Sequence, residues 1–171
     1  MLMPNYIPSA RGLNWIIGLG CFFLIFAALY MEHVMQLAPC SLCIFQRVAV
    51  IAAGLIAIIA AVHNPLRTGV RAYGLMTVLF SAAGGAMATR QLHLQSLPKD
   101  QVPACGPGLD YLMDVFPMHD VIQMVLIGDG NCAEVAWSFL GISIPGWALI
   151  GFTGLMMLGL FQMLRKNLDG I

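Results

Sequence analysis

Residues 48–62 read VAVIAAGLIAIIAAV, an unbroken apolar run that follows Arg47 and stops at the breaker His63-Asn64-Pro65. A bilayer-crossing helix needs about 20 mostly apolar residues, and with the turn before it this stretch supplies a span over 44–62. Working outward, the same uncharged gap recurs from Gly12 to Met31, between Arg11 and Glu32, and from Ala72 to Thr89, between Arg71 and Arg90. The gap from Val135 to Leu164 is too long for one span, and Pro145-Gly146 near its middle predicts a loop or interfacial piece before a helix from about Ile144. The predicted spans are therefore 12–31, 44–62, 72–89 and 144–164, in one all-α membrane domain over 1–171.

Composition agrees. Of 171 residues 60% are hydrophobic and only 9% charged, far from the quarter usual in soluble domains. Eight Lys+Arg balance eight Asp+Glu, which leaves no basic field for nucleic acid and no charge excess of the kind that keeps chains disordered. The first span lacks a small-x-small cleavage site and exceeds a signal-peptide core, so it reads as a retained helix. Ser81, Gly84, Gly85 and Ala88 in the third span permit close helix approach.

Four spans place both termini on one side. Arg11, Arg67, Arg71, Arg165 and Lys166 flank that side, against Arg90, Lys99 and the boundary residue Arg47 on the other, so the termini are expected in the cytoplasm. The exported segments are then about 32–43 and 90–143. Cys40, Cys43, Cys105 and Cys132 all fall in them, as oxidising chemistry would require, whereas Cys21 lies mid-membrane as a small apolar residue.

Cys40-Ser-Leu-Cys43 is a CxxC, the spacing of a redox dithiol or of half a metal site. Pro39 before it and the second span after it put Cys43 in the first turn of a helix, where free N–H groups favour a thiolate. Arg47 follows four residues later on the same face. At a charge separation of about 6 Å and an effective dielectric of about 20, the attraction is of order 3 kcal/mol. Arg47 could also donate to a carbonyl oxygen of a lipid-soluble two-electron acceptor, for which a quinone is the natural candidate, and Gln46 could add a polar contact. The plainer alternative for Arg47 is a cation snorkelling at the membrane surface.

Cys105 lies in the turn-forming run Pro103-Ala-Cys-Gly-Pro-Gly108, where its sulfur has little cover; an exposed disulfide there suits exchange with another protein, although a passive staple is the alternative. Between it and Cys132, apolar residues at helical spacing around Pro117 predict a short helix lying in the interface plane. His33 and His119 read as ordinary polar positions. His93, just past the third span, is expected to approach the acceptor pocket. A metal site fits poorly, because zinc knuckles pair two short-spaced units and only one CxxC is present.

Cys40-Ser-Leu-Cys43-Ile-Phe-Gln-Arg47, and Gly130-Asn-Cys132-Ala-Glu followed by Trp137-Ser-Phe-Leu-Gly141-Ile-Ser-Ile-Pro145, together resemble the disulfide bond formation protein B (DsbB) family. The resemblance covers nearly the whole chain. It implies a four-helix bundle in the bacterial inner membrane that reoxidises DsbA, a soluble periplasmic thioredoxin-fold partner, and passes the electrons to ubiquinone or menaquinone. It further implies that Cys105 forms the mixed disulfide with the partner, that Cys132 relays toward Cys40, that Cys43 faces the quinone and that Arg47 holds it. Gln46 stands where better-known members often have Glu. Four cysteines allow three pairings, and the resting pattern stays open.

Overall fold

The computed structural model describes residues 9–98 and 100–164. Among the described residues, four helices are long and apolar enough to cross a membrane: α1 (Ala10–His33), α2 (Ser41–His63), α3 (Arg67–Ser96) and α7 (Ile144–Leu164). Between α3 and α7 lie three short helices, α4 (Leu109–Val115), α5 (Met118–Ile127) and α6 (Gly130–Ala133), and a small hairpin of β1 (Ser138–Phe139) with β2 (Ile142–Ser143). The chain is a multi-pass, all-α membrane protein, as the charge gaps predict.

Each long helix packs along its sequence neighbour, α1 on α2, α2 on α3 and α3 on α7, while α1 and α7 meet along a looser seam. Size is sorted inversely to a soluble core. Ala53, Ala57 and Ala60 are fully buried, while Phe22, Phe23 and Phe26 face outward. Lipid chains are as apolar as Leu, so association relies on close approach of small residues, and Ser81, Gly84, Gly85 and Ala88 are indeed buried. Cys21 belongs to this packing. It is buried, and a Cβ added at Gly54 of α2 would lie 2.8 Å from its own Cβ.

Charge gaps locate hydrocarbon better than they locate helix ends. The 30 residues of α3 run about 45 Å, longer than a bilayer core of about 30 Å, so the helix carries Arg90, Gln91 and Gln95 past the predicted limit at 89. Arg90 donates to the Ile127 carbonyl (2.9 Å) and fixes the end of α5. The single short helix expected around Pro117 is two, with Pro117 as N-cap of α5, where its missing N–H costs nothing. Val121 and Val125 of α5 join Leu42, Leu94, Leu112 and Cys132 in an apolar cluster beyond the bundle core.

α7 begins at Ile144, as Pro145-Gly146 predicts. The preceding residues form the unforeseen hairpin, with Leu140 (φ 53°) and Gly141 (φ 79°) supplying the two positive φ angles of a type I′ turn. Trp147 Nε1 donates to the Phe139 carbonyl (3.2 Å), which docks the hairpin on α7. At the opposite end of the bundle Arg11, Arg67 and Arg71 surround a second cavity. Lys99, Arg165 and Lys166, also used for sidedness, lie outside the described residues.

Candidate active site

Cys40 is the N-cap of α2 and offers no side-chain cap, so the first-turn N–H groups of the helix stay available. Cys43 lies in that first turn, as expected, and its sulfur is 3.1 Å from that of Cys40. The third sulfur comes from far along the chain. Cys132, fully buried on α6, has its Sγ 3.7 Å from Ser41 Oγ and accepts from the Leu42 backbone N–H. Cys132 therefore shares the N-terminus of α2 with Cys43, which the sequence alone did not suggest.

The consequence is electrostatic. Hydrogen bonding from the Cys40 thiol is the largest influence lowering Cys132 from 9.0 to about 7, with the Leu42 and Asp129 backbones and the Ser41 hydroxyl adding to it against the cost of burial. Cys40 is pushed up, because it is the donor to Cys132 and to Cys43. A thiolate at Cys132 beside a protonated Cys40 is the favoured arrangement when these groups are reduced.

The turn carrying Cys132 is held by Asp129, whose Oδ1 caps α6 by accepting from the Cys132 N–H (3.1 Å). The Cys105 loop rests on the same turn. Gly130 N–H donates to the Ala104 carbonyl (3.2 Å), and Asn131 Nδ2 donates to the Gly106 carbonyl (3.4 Å). Contact is close enough that a Cβ on Gly130 would come within 2.7 Å of the Pro103 carbonyl and 3.1 Å of Cys105 Sγ. Cys105 itself is exposed.

A cavity of about 270 Å³ opens beside the first cysteine pair, at the α1–α7 seam. Its walls are mainly apolar, from Leu24, Ile25, Trp147, Ala148 and Phe152, with Cys40, Cys43, Gln46, Arg47, Gln91, Gln95, Asn131 and Glu134 as polar or sulfur groups. Arg47 lines it but is not the free cation that the sequence suggested. Its guanidinium pairs with Glu32 of α1 and donates to the Ala28 carbonyl (3.3 Å). Antiparallel packing of α1 on α2 sets Glu32 opposite Arg47, and a half-buried cation takes the nearest carboxylate.

Gln46 is buried and donates through Nε2 to Gln91 Oε1 (2.9 Å). His93 is exposed on α3 and does not line the cavity, contrary to expectation. Two residues are about 200° of helical rotation, so the inward face at this level belongs to Gln91. Gln91 and Glu32 are the residues that sequence reasoning missed. Polar Gln91 and Gln95 at helical spacing just past a span were the available signal for the first, and Glu32 ending the first apolar gap was the signal for the second.

Comparison with known proteins identifies the family. The family model described as "Disulfide bond formation protein DsbB" matches residues 10–162. A disulfide bond formation protein B of Marinobacter nauticus is 53% identical over 156 residues, 90% of this chain and 93% of the relative. Its counterpart in Saccharophagus degradans is 50% identical over 160 residues, covering 94% and 96%, and that in Stutzerimonas stutzeri 50% over 161 residues, covering 94% and 99%. A match of this extent, over the helices and both cysteine-bearing loops alike, means that the chain belongs to the DsbB family of disulfide bond formation proteins.

Proposed function

We propose that the protein is an inner-membrane oxidoreductase that reoxidises a periplasmic DsbA-like dithiol and delivers the electrons to ubiquinone or menaquinone. The observation that carries this reading is the graded setting of the sulfurs: Cys105 exposed, Cys132 buried against Cys40, and Cys43 beside a mainly apolar cavity. Arginines gathered at the end of the bundle away from the cysteines support cytoplasmic termini and periplasmic thiol chemistry.

In this reading a thiolate of the reduced partner attacks Cys105 of a Cys105–Cys132 disulfide. The new bond joins the partner to Cys105, and the displaced electron pair stays on Cys132. Cys132 then attacks Cys40 of a Cys40–Cys43 disulfide, forming Cys132–Cys40 and leaving the pair on Cys43. The partner's second thiol displaces Cys105 and leaves oxidised. Cys105 next displaces Cys40 from Cys132, which restores the outer disulfide and leaves the inner pair reduced. Each exchange conserves two electrons.

The cavity suits a flat carbonyl-bearing ring, having mainly apolar walls and the side-chain N–H donors of Gln46, Arg47 and Gln91 beside Cys43. Arg47 and Gln46 would hold such a ring, Arg47 through the guanidinium N–H groups left over from Glu32 and Ala28. When bound, a quinone supplies the capacity to accept two electrons and two protons. Mixing the purified chain with a reduced thioredoxin-fold oxidase and a soluble quinone should give protein-dependent loss of quinone absorbance that Cys43→Ser abolishes. Quinone absorbance unchanged, with the oxidase left reduced, would overturn the proposal.

A further inference from the structure

The exchange order proposed above leaves a negative charge on Cys43, and the nearest cation is already engaged. Arg47 is paired with Glu32 across the α1–α2 interface. The group that does address the sulfurs is an uncharged one. Gln91 of α3 is only 4% exposed, and its Nε2 lies 3.3 Å from Cys43 Sγ and 3.4 Å from Cys40 Sγ. We propose that Gln91 is a catalytic residue that donates to the electron pair left on Cys43 when Cys132 displaces it from Cys40.

Amide orientation follows from the neighbours. Gln46 Nε2 donates to Gln91 Oε1 at 2.9 Å, which turns the NH₂ of Gln91 toward the sulfurs. Gln91 Oε1 also lies 3.6 Å from Cys43 Sγ, so a protonated Cys43 donates to the oxygen while a thiolate accepts from the nitrogen. One fixed amide thus meets both forms of the sulfur without reorganising, which is the property that favours charge developing during a reaction. In the exchange, the Cys40–Cys43 bond breaks, Cys132–Cys40 forms, and the pair released onto Cys43 stays there until it passes to the acceptor. A donor to a charged group is roughly twice as strong as one to a neutral group, so its loss should bear mainly on the reduced state.

The inference rests on the proposed exchange order, but it can be tested without quinone or partner. In full-length chain carrying Cys105→Ser and Cys132→Ser, the Cys40–Cys43 pair is equilibrated in glutathione buffers and mapped by mass spectrometry. Gln91→Leu should shift the equilibrium constant about tenfold toward the disulfide, or about 30 mV. Gln91→Glu, of the same size, should shift it at least as far, because it replaces the donor with a carboxylate; it also serves if the leucine variant does not fold. Arg47→Met should shift it less than Gln91→Leu. In the chain with all its cysteines, the rate at which reduced partner generates the Cys132–Cys40 link should fall about tenfold in Gln91→Leu. Equilibrium constants within twofold of the parent in both Gln91 variants, or a larger shift in Arg47→Met, would overturn the role. Failure of the parent chain to reduce quinone would instead overturn the proposed function and leave the glutathione equilibrium interpretable.

Discussion

Two cysteine settings divide the site. Around Cys132, Asp129 caps the turn, Ser41 and Leu42 hydrogen-bond the sulfur, and the thiol is fully buried. Around Cys105, two glycines and two prolines leave the sulfur exposed, with hydrogen bonds from the Gly130 backbone N–H and the Asn131 side-chain amide tying the loop down. The difference separates accessibility from activation. The exposed sulfur can be reached by another protein, whereas the buried one sits where a helix N-terminus supports its charge.

The sharpest way to break that division is Cys132→Ser. It should abolish turnover altogether and trap a covalent adduct between Cys105 and a reduced thioredoxin-fold oxidase, visible on a non-reducing gel. Equal adduct yield from Cys105→Ser would show that Cys105 is not the outward sulfur. The next largest effect is in pH. With Cys132 lowered to about 7 in the reduced site, chiefly by the Cys40 thiol that donates to it, its thiolate there is populated above that pH and lost below it, so thiolate absorbance of the fully reduced chain, taken against a Cys132→Ser control, should titrate near 7. A midpoint near 9 in that difference titration would mean that neither the Cys40 thiol nor the helix N-terminus acts on this sulfur.

Arg47→Met should raise the apparent KM for quinone about tenfold, through loss of a charged donor, while leaving the Cys105 adduct intact. Lys in its place should recover little, having no planar donor fork to share between Glu32 and a ligand. Unchanged quinone kinetics would make Arg47 a structural partner of Glu32 alone. The smallest effect belongs to Asp129→Ala, which removes the α6 cap and should cost about 1 kcal/mol, read as earlier thermal unfolding of the turn by hydrogen exchange at Cys132.

Much of the fold was legible because a bilayer imposes one length scale. Uncharged gaps marked four spans, Pro145 marked the start of α7, and Pro39 with the apolar run after Arg47 put Cys43 in a first helical turn. What stayed hidden depends on which residues face each other across helices. The Arg47–Glu32 pair, the Gln46–Gln91 contact and the seat of Cys132 on α2 all join segments far apart in sequence, and no local period encodes them. His93 shows the same limit on a smaller scale: it lies on α3 two residues from Gln91, but on the exposed face.

The seat of Cys132 is the feature on which the relay depends, and it can be read directly. In full-length chain carrying Cys43→Ser and Cys105→Ser, a stoichiometric thiol oxidant followed by alkylation and peptide mapping should give a Cys40–Cys132 disulfide in nearly every molecule, without partner or quinone. Recovery of Cys40 and Cys132 as separately alkylated thiols would contradict the relay.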